Sequence, residues 1–552
     1  MKLEWWAATL LAAIALAVLV VLVAYADVGL DLTDEGLYLL DIARGSPSAT
    51  DFSQYHVVLG WFFGPEPSIV GLRVFGLLAD ILTAGLLACA SWRLLAPEDA
   101  PRSAGVCWAA TIVVFQLMVR SWIGPTPSYN TLGSWLTNLE IATILVAVRS
   151  IRAWWIGILL GLLLWLHVFV KWPTAIGMAV LVVALLTWTR RRRLAAATLA
   201  SFTGLLALSS AVTIGGLDVA RLREAGSVLP SHGYSPVTLL GDYLASTASA
   251  TVDLFIEIPG LAILVVVGTT FVSARFWGSR GPLGAVILIP VVLAAPAGFV
   301  ALVGLSEWKR VLSVAVLAII VGFLISAARD RQVIHDRALV SALLILLVAP
   351  LLIAAGTNVD LPMYLLGAMA PWAVLLAWVA VSRLKVASVL VPLGILAALQ
   401  VLGGVVISPY RQIDLRDQNT EVVWGDVRVD AARATFFQAL RTEVDAVSMT
   451  GRPIVVLFNH PGLAVALERP VIGPTWTGSQ PEAMTRICPL LELQAEGLSR
   501  VDAVVVTYPL EPATSDCLRS AWPDFKDMEL VADLDAPESV TTFERVRVLA
   551  RG

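Results

Sequence analysis

Apolar runs of about 20 residues, the length at which a helix crosses the hydrocarbon layer of a membrane, recur from the N-terminus to about residue 408. The 552-residue chain is 58% hydrophobic and only 14% charged, which is more apolar side chain than a soluble core requires. No basic block with interleaved aromatic residues indicates nucleic-acid binding. The sequence therefore predicts an all-α polytopic membrane bundle.

The runs predict about 13 transmembrane helices, with an uncertainty of about one. They are expected near residues 5–26, 68–92, 104–120, 131–149, 154–170, 173–189, 194–215, 255–274, 282–304, 308–328, 338–356, 364–382 and 386–408. With the N-terminus in the cytoplasm, most basic residues, including the run from Arg190 to Arg193, fall in inner segments, as the positive-inside rule requires. We therefore expect an integral protein of the plasma membrane. The sequence AYA at residues 24–26 resembles a signal-peptidase site, but the apolar run before it is longer than a signal peptide needs.

The composition becomes polar after about residue 409. An amphipathic helix is expected at 431–447 and strands at 453–458, 502–508 and 545–550, which together predict a small α/β domain at 409–552 after the membrane domain at 1–408. An odd number of spans places this domain outside the cell, where disulfides persist. We expect Cys488 and Cys517 to form a disulfide worth about 3 kcal/mol, whereas Cys89 and Cys107 belong to membrane helices.

The first outer loop, residues 27–67, begins with carboxylates and continues as an aromatic-rich stretch at 52–64 that is too short to span the membrane. Asp34 and Glu35 are adjacent near its start, and Asp31 and Asp41 flank them. Such a loop can hold a polar reaction centre at the depth of the lipid headgroups. The competing interpretation is that the acidic residues are simply solvated, which composition alone favours.

A few basic residues lie near outer helix ends, against the trend of the positive-inside rule. They include Arg73, Arg120, Lys171, Lys309 and Arg310. Snorkelling to the headgroups explains an isolated case. Lys171 is different, because the tight turn VKWPT leaves it between two apolar runs that are barely long enough to span. Such a lysine is expected to face a cavity that holds an anion, and phosphate is the obvious anion at headgroup depth.

A carboxylate and phosphate-binding cations suit one chemistry, the transfer of a sugar from a polyprenyl phosphate: a base takes the acceptor's proton and cations stabilise the departing phosphate. Three stretches then resemble the GT-C glycosyltransferases, specifically the protein O-mannosyltransferase and lipid A aminoarabinose transferase group. The first is TDEGLYLLDIARG (33–45) with FFGPEPSIVGLRVFGLLADILTAGLLA (62–88). The others are GILLGLLLWLHVFVKWPTAIGMAVLVVALL (157–186) and LPMYLLGAMAPWAVLLAW (361–378).

The resemblance implies a GT-C-type bundle and a hexosyl- or pentosyltransferase that moves a sugar, with inversion, from a polyprenyl-phosphate donor to a glycan, lipid or protein acceptor of the cell envelope on the outer face. It implies that Asp34 positions or deprotonates the acceptor, with Glu35 as its neighbour. The expected substrate-binding residues are Lys171, Arg73, Tyr55, His56, Arg120, Tyr129, Asn130, Lys309 and Arg310. No ligand spacing demands a cofactor or metal, although the outer-loop carboxylates could bind a divalent cation.

The chain also departs from the family. Many relatives carry a further acidic residue between the third and fourth spans, whereas GPTPSYNTLG (124–133) has no carboxylate, so the acceptor chemistry stays open. An alternative function is a transporter or flippase of a lipid-linked sugar, for which intramembrane charges would line a path, but the chain has no convincing internal repeat. A third is a catalytically silent scaffold in envelope assembly, which the soluble tail would suit.

Overall fold

The structure is a computed structural model, and it describes residues 2–44, 53–64, 68–121, 124–149, 154–223, 335–353, 365–383, 387–407, 421–423, 427–458, 460–472, 495–538 and 543–551, with a few isolated positions. Its helices are α1 Lys2–Ala24, α2 Asp34–Arg44, α3 Tyr55–Gly60, α4 Ile69–Leu95, α5 Arg102–Leu117, α6 Tyr129–Arg149, α7 Trp154–Trp188, α8 Arg192–Ala211, α9 Arg337–Leu352, α10 Met369–Trp378, α11 Leu390–Ile407, α12 Ala431–Val447, α13 Gly462–Ala466, α14 Ala495–Leu498 and α15 Pro512–Ala521. Its strands are β1 Glu421–Val423, β2 Val427–Val429, β3 Ile454–Leu457, β4 Ala503–Val506, β5 Met528–Asp535 and β6 Arg545–Arg551.

Six helices in the described part of the chain are long and apolar enough to cross a membrane, and they correspond to α1 and to α4 through α8. Shorter apolar helices follow at α9, α10 and α11. The chain is thus a membrane protein with a mostly helical bundle, as expected. The count of about 13 spans is not confirmed, and the runs predicted at 255–274, 282–304 and 308–328 lie outside the described residues.

Helix α7 is one element in the chain order, but its backbone leaves the helical conformation at Lys171, where φ is −155° and ψ is 80°. Its two halves run in opposite directions, because the chain that follows the second half lies beside the start of the first. The guanidinium of Arg191 donates to the carbonyl of Val148 at 2.9 Å, and a Cβ on Gly157 would lie 2.8 Å from the carbonyl oxygen of Leu194. The predicted turn between 154–170 and 173–189 is therefore confirmed, and its proline, which lacks an N–H, lies in the first turn after it.

Small residues set how closely the helices of the bundle approach each other. A Cβ on Gly161 would lie 2.6 Å from the carbonyl oxygen of Thr198, so the spacing of Gly157 and Gly161 brings α7 against α8. Elsewhere α1 packs on α5 and α11, and α4 packs between α5 and α6. The apolar side chains of these helices form one continuous buried cluster.

The C-terminal region contains a four-stranded sheet in the order β3-β4-β6-β5, in which β3 and β4 are parallel and the other pairs are antiparallel. Helix α12 packs on one face of the sheet. Helix α15 covers the other face, where its apolar residues share a buried cluster with those of β3 and β4. The N-cap of α12 is Asp430, whose carboxylate accepts from the N–H of Arg433 at 2.9 Å. The predicted helix at 431–447 and the three predicted strands are confirmed. Strand β5, with its alternating charged residues at the sheet edge, is an element that the sequence interpretation missed.

The first outer loop lies between the bundle and the C-terminal region, and its apolar residues share one buried cluster with both. The N–H of Gly29 donates to the carbonyl of Arg428 at 2.8 Å, and the N–H of Arg428 donates to that of Asp27 at 2.6 Å. Gly462 donates from its N–H to the carbonyl of Leu32 at 2.8 Å. The loop that carries the candidate carboxylates is therefore held on both sides.

Candidate active site

The acidic stretch of the first outer loop folds into the N-terminal turn of α2. Asp31 accepts hydrogen bonds from the N–H of Thr33 at 2.9 Å and of Glu35 at 3.1 Å. In return, the carboxylate of Glu35 accepts from the N–H of Asp31 at 3.2 Å. This reciprocal arrangement satisfies backbone donors at the helix start, as a capping box does. The hydrogen bonds of Asp31 therefore indicate a local structural role at the start of α2.

Glu35 is fully buried in an ion pair with Arg73 of α4. Arg73 donates from Nε and Nη2 to the two carboxylate oxygens at 3.0 and 2.8 Å, and also donates to the carbonyls of Ala26 and Gly29, each at 2.7 Å. The hydroxyl of Thr126 donates to the same carboxylate at 2.5 Å. Burial acts to raise the pKa of Glu35, but the charge and hydrogen bonds of Arg73, with the hydrogen bond of Thr126, outweigh it and hold that pKa below its ordinary value.

Asp34, the first residue of α2, is half-buried, unlike its neighbour. Burial raises the pKa of Asp34 to about 7, and the negative charge of Asp31 acts in the same direction. Burial also raises the pKa of Asp31, to about 6, against the lowering effect of its hydrogen bonds from Thr33. A carboxyl that titrates near neutral pH can both accept and return a proton. The surroundings of the adjacent Asp34 and Glu35 thus shift their pKa values in opposite directions.

An aromatic cluster connects α2 with the turn at Lys171. Tyr38 follows Asp34 by four residues and so lies on the same helix face. Its ring makes edge contacts with Tyr55 at 5.7 Å and with Tyr129 at 6.0 Å between centroids. The ammonium of Lys171 lies 5.7 Å from the centroid of the Tyr129 ring. The structure therefore brings Lys171 and the Asp34 face of α2 to opposite sides of one tyrosine cluster.

The ammonium of Lys171 is itself buried and bound. It donates to Oδ1 of Asn130 at 3.0 Å and to the carbonyl of Ile353 at 2.5 Å. Asn130 and Tyr129 open helix α6, so the segment that lacks a family carboxylate supplies these two contacts instead. The structure thus brings together Lys171, Tyr129 and Asn130, three of the residues predicted to bind substrate; that role stays a prediction.

His56 lies in the short helix α3 and is 2% exposed. Within the described residues, neither of its ring nitrogens has a hydrogen-bond partner. Burial lowers the pKa of His56 to about 4, with a smaller contribution from the charge of Arg221, so the imidazole is neutral at physiological pH. The neighbouring Tyr55 donates its hydroxyl to the carboxylate of Asp41 at 3.0 Å. A buried imidazole with two open positions can bind hydroxyl groups of a ligand.

Arg120 belongs to a different group of residues, within the bundle. It donates from Nε to the carboxylate of Asp80 at 2.7 Å and from Nη1 to the carbonyl of Pro125 at 2.8 Å. Asp80 also accepts from the indole of Trp135 at 2.6 Å and from the amide of Gln116 at 3.0 Å. The structure does not bring Arg120 to the tyrosine cluster, and its contacts are those of a buried structural ion pair.

The remaining predicted site residues are only partly testable. Lys309 and Arg310 lie outside the described residues, as does Cys488. Cys517 is disulfide-bonded, whereas Cys89 and Cys107 are free. The pairing of Cys517 with Cys488 stays a prediction.

The solved structures that are similar to this chain have low sequence identity to it. An oligosaccharyltransferase from Archaeoglobus fulgidus, crystallised with zinc and sulfate, matches 91% of this chain and 68% of its own, at 15% identity and a TM-score of 0.47. ArnT from Cupriavidus metallidurans matches 98% of this chain and 97% of its own, at a TM-score of 0.40, in the apo state at 16% identity and bound to undecaprenyl phosphate at 15%. No protein-family model and no curated protein matches the chain.

No residue role follows from the likeness to these solved structures, because the TM-scores are 0.40 to 0.47 and the identities 15% and 16%. The roles assigned below come from the contacts of the described residues alone.

Several polar residues around the site escaped the sequence interpretation. Asp80 and Glu140 lie inside apolar helices and are fully buried, and a carboxylate oxygen of Glu140 lies 2.9 Å from Nδ1 of His167. A charged residue inside a membrane helix is itself a signal of a polar contact, and that signal was available. Thr126 and Tyr38 carry no such signal, because a hydroxyl in a loop and an aromatic on a helix occur at many positions.

Among the described residues, no group of three or more His, Cys, Asp or Glu side chains could hold a metal ion. Asp31 and Asp34 lie three residues apart at the start of α2, and the negative charge of Asp31 acts to raise the pKa of Asp34.

Proposed function

We propose that the protein is an integral-membrane glycosyltransferase that transfers a sugar, with inversion, from a polyprenyl-phosphate donor to an acceptor on the outer face of the membrane. The observation that carries this proposal is the tyrosine cluster that joins the Asp34 face of α2 to the ammonium of Lys171. It supports a site with a proton acceptor at one end and a cation at the other. One of the similar ArnT structures contains undecaprenyl phosphate, which is a polyprenyl phosphate.

In the proposed reaction, Asp34 accepts the proton of the acceptor hydroxyl or amine as that group attacks the anomeric carbon. The bond from the anomeric carbon to the phosphate oxygen breaks, and the polyprenyl phosphate leaves with both bonding electrons. A base whose pKa is about 7 is suited to this step, since it is largely ionised at or above neutral pH and still basic enough to take a proton.

Lys171 is proposed to stabilise the departing phosphate. Its ammonium now donates to the neutral oxygens of Asn130 and Ile353, and a phosphate oxygen forms a stronger, charge-assisted hydrogen bond than either. Binding of the donor can therefore exchange a neutral acceptor of this ammonium for a charged one. The extended backbone at Lys171 holds the side chain at the turn, where it reaches the outer ends of α6 and α7.

Glu35 is proposed to be a positioning residue and not a second base. Its carboxylate accepts from Arg73, Thr126 and the backbone of Asp31, and its pKa is held low. Arg73 is correspondingly proposed to hold the loop and not the lipid phosphate, because its donors already face Glu35 and two carbonyls. Glu35 and Arg73 would then act by holding Asp34 in position.

His56 is proposed to bind hydroxyl groups of the donor sugar. Its ring lies at 5.7 Å from that of Tyr55, between centroids, which places it beside the tyrosine cluster. Both of its nitrogens are buried and open among the described residues. A neutral imidazole can donate from one nitrogen and accept at the other, which suits two neighbouring hydroxyl groups.

A divalent cation is compatible with this proposal, and the similar oligosaccharyltransferase was crystallised with zinc. Asp34 would be its ligand on this chain, since both carboxylate oxygens of Asp31 accept hydrogen bonds at the start of α2, and a cation there would lower the pKa of Asp34. Adding EDTA and then magnesium, manganese or zinc to a transfer assay tests the requirement. Activity that survives EDTA assigns the chemistry to the side chains alone.

The test of the function is a transfer assay with purified protein, a panel of polyprenyl-phosphate sugars and an envelope extract as the source of acceptor. Mass spectrometry identifies the donor consumed and the product formed. Asp34→Asn keeps the shape of the side chain and removes the base, so we expect transfer to fall by about 100- to 10,000-fold. Asp516→Asn, at an exposed position of α15, is the matched control. Transfer that is unchanged in Asp34→Asn would refute the assignment.

The transporter or flippase alternative is tested by the same material in proteoliposomes. Movement of the lipid-linked sugar across the bilayer without a transferred product would favour that alternative. The buried pairs Asp80–Arg120 and Glu140–His167 are the intramembrane charges such a path would use. The contacts within each pair support a structural role, because Arg120 pairs with Asp80 and the ring of His167 contacts the carboxylate of Glu140.

A further inference from the structure

A cleft of about 650 Å³ opens in the C-terminal region, where strand β4 ends and strand β6 begins. One wall is the segment after β4, with Thr507 and Tyr508, and the other is the segment leading into β6, with Glu538, Phe543 and Glu544. Sites for small molecules have volumes of about 300 to 1,000 Å³. The residues of the proposed transfer site do not line this cleft, so it needs an explanation of its own.

The cleft lies next to the loop that carries Asp34. Because β3 and β4 are parallel, the segments that follow them meet at the same end of the sheet, beyond the carboxyl ends of the two strands. Ligands bind at that end in open α/β sheets. His460 follows β3, and its Nδ1 lies 2.9 Å from the hydroxyl of Thr507. Its ring makes an edge contact with Phe543 at 4.7 Å between centroids. Two residues later, Gly462 packs against Gly36 of α2.

These contacts form a short path from the cleft to the proposed base. Thr507 and Phe543 line the cleft, His460 touches both of them, and Gly462 touches the helix that begins with Asp34. Burial lowers the pKa of His460 to about 4, so its ring is neutral and adds no charge to the path. Residues 460–462 therefore connect the walls of the cleft to the loop of Asp34.

The cleft combines an aromatic wall with polar groups at its rim. Tyr508 is half-buried and packs edge-on against Phe458 at 5.9 Å, which holds its ring in place. Phe543 is buried beside it, and the side chains of Glu538 and Glu544 are exposed. Aromatic faces bind the C–H surface of a ligand, and carboxylates accept hydrogen bonds from hydroxyl groups.

The charges around the cleft do not favour an anion. Arg545 pairs with Asp533 at 3.1 Å and with Asp535 at 3.2 Å, and Arg547 pairs with Asp533 at 3.4 Å. Both arginines of the lining are therefore already neutralised, while the two glutamates at the rim have the charge that repels phosphate or carboxylate ligands. A neutral ligand rich in hydroxyl groups fits this distribution.

A peptide fits the cleft less well. Extended peptides bind mainly by adding a strand to the open edge of a sheet, and the edges of this sheet are β3 and β5. The cleft instead lies at the ends of β4 and β6, which are the two inner strands. A ligand there meets side chains and the ends of strands that are already paired.

We propose that this cleft binds a neutral saccharide chain, the acceptor of the transfer reaction, and holds the sugars next to the one that reacts. The proposal rests on the proposed function, because the saccharide is assigned as the acceptor that Asp34 deprotonates. It narrows the acceptor from a glycan, lipid or protein to a glycan. Residues 460–462, which contact both the walls of the cleft and α2, would then connect the bound chain to the loop of Asp34.

The test is direct binding of neutral manno-, galacto- and arabino-oligosaccharides to the purified full-length protein in nanodiscs. We expect at least one series to bind, and Tyr508→Ala and Glu544→Ala each to weaken its binding by about tenfold. Glu544 is exposed, so Glu544→Ala is expected to keep the fold even where Tyr508→Ala disturbs packing. Leu530→Ala, at an exposed position of β5 outside the cleft, is the control and should bind as the unmodified protein does.

The binding assay separates this proposal from the proposed function. Saccharide binding that depends on Tyr508 and Glu544, without consumption of any polyprenyl-phosphate sugar, would support the cleft and overturn the transferase. Consumption of donor with no oligosaccharide binding, or with binding that both variants leave unchanged, would overturn the cleft alone. Binding of an acceptor peptide that depends on Tyr508 and Glu544 would also overturn the saccharide assignment.

Discussion

At the scale of single residues, two adjacent carboxylates of α2 differ in what surrounds them. Glu35 is fully buried and paired with Arg73, whereas Asp34 is half-buried. Their pKa values move in opposite directions, since an ion pair favours the charged form of Glu35 and burial disfavours that of Asp34. The two adjacent residues thus have separate proposed roles: Glu35 holds the loop in position, and Asp34 accepts the proton.

The pH dependence of transfer follows from the raised pKa of Asp34. Below about pH 7 the carboxyl is protonated and cannot accept the acceptor's proton, so kcat/KM for the acceptor should rise with pH through about 7 and then level off. A pH series at saturating donor measures this limb, and Asp34→Asn should lack it. A limb near the ordinary pKa of a free Asp, about 4, would contradict the role of Asp34.

Loss of the Arg73 side chain should destabilise the protein strongly. Arg73→Met leaves the buried charge of Glu35 without its partner, which costs about 3 to 5 kcal/mol. Thermal unfolding in detergent, followed by tryptophan fluorescence, measures the change. Arg102→Met, at an exposed position at the start of α5, is the control and should change stability little. Equal stability of the two variants would contradict the structural role of the pair.

The same pair predicts sensitivity to acid. Because the folded-state pKa of Glu35 is lowered, its contribution to stability is present above its ordinary pKa and is lost as pH falls through the folded value. Asp34 acts in the opposite direction, since its raised pKa favours folding at low pH and loses that contribution as pH rises through about 7. Chemical unfolding at several pH values, compared between the unmodified protein and Glu35→Gln, measures the contribution of Glu35 to stability. Parallel pH curves for the unmodified protein and Glu35→Gln would contradict that contribution.

At the scale of secondary-structure elements, α2 is held by contact with α13 of the C-terminal region. A Cβ on Gly36 would overlap the backbone nitrogen and Cα of Gly462, so only glycine permits this approach. In an isolated helix, alanine would be favoured over glycine by about 1 kcal/mol. The close approach reverses that preference.

Gly36→Ala should therefore reduce both stability and transfer, with a stability loss of about 1 to 3 kcal/mol from overpacking. Gly60→Ala is the matched control, because a Cβ there meets nothing within 4 Å among the described residues. Thermal unfolding and the transfer assay measure both variants. A stable and active Gly36→Ala would show that α2 does not need its contact with α13.

At the scale of the whole molecule, the proposed site requires the C-terminal region and the first outer loop to be on the same side of the membrane. Their backbone hydrogen bonds and the Arg428–Asp27 ion pair at 2.8 Å agree with this requirement. The prediction is that this side is the outer one, with the N-terminus in the cytoplasm.

Cysteine labelling tests that orientation. In a chain with Cys89 and Cys107 replaced by alanine, Met449→Cys should react with a membrane-impermeant maleimide on intact cells, since Met449 is 73% exposed in the C-terminal region. Arg192→Cys, at the exposed start of α8, should react only after the membrane is permeabilised. The reverse pattern would invert the topology and place the proposed site inside the cell.

Much of the architecture was predictable because it depends on local pattern. The apolar runs predicted the membrane helices, the turn at Lys171 and the helix and central strands of the tail, since burial in lipid or in a sheet core imposes a continuous or periodic apolar pattern. Strand β5 was missed because an edge strand with one solvated face has charged residues in place of that pattern.

The sequence alone determined that this is a membrane protein, that Asp34 and Glu35 follow its first membrane helix, and that Lys171 interrupts an apolar segment. Only the tertiary structure decided that Arg73 binds Glu35, that Arg120 binds Asp80 and that tyrosines join Lys171 to α2. The physical reason is that a charge is recognisable from its residue type, whereas its partner depends on distances between segments far apart in the chain. Burial and those partners then set which carboxylate is able to accept a proton.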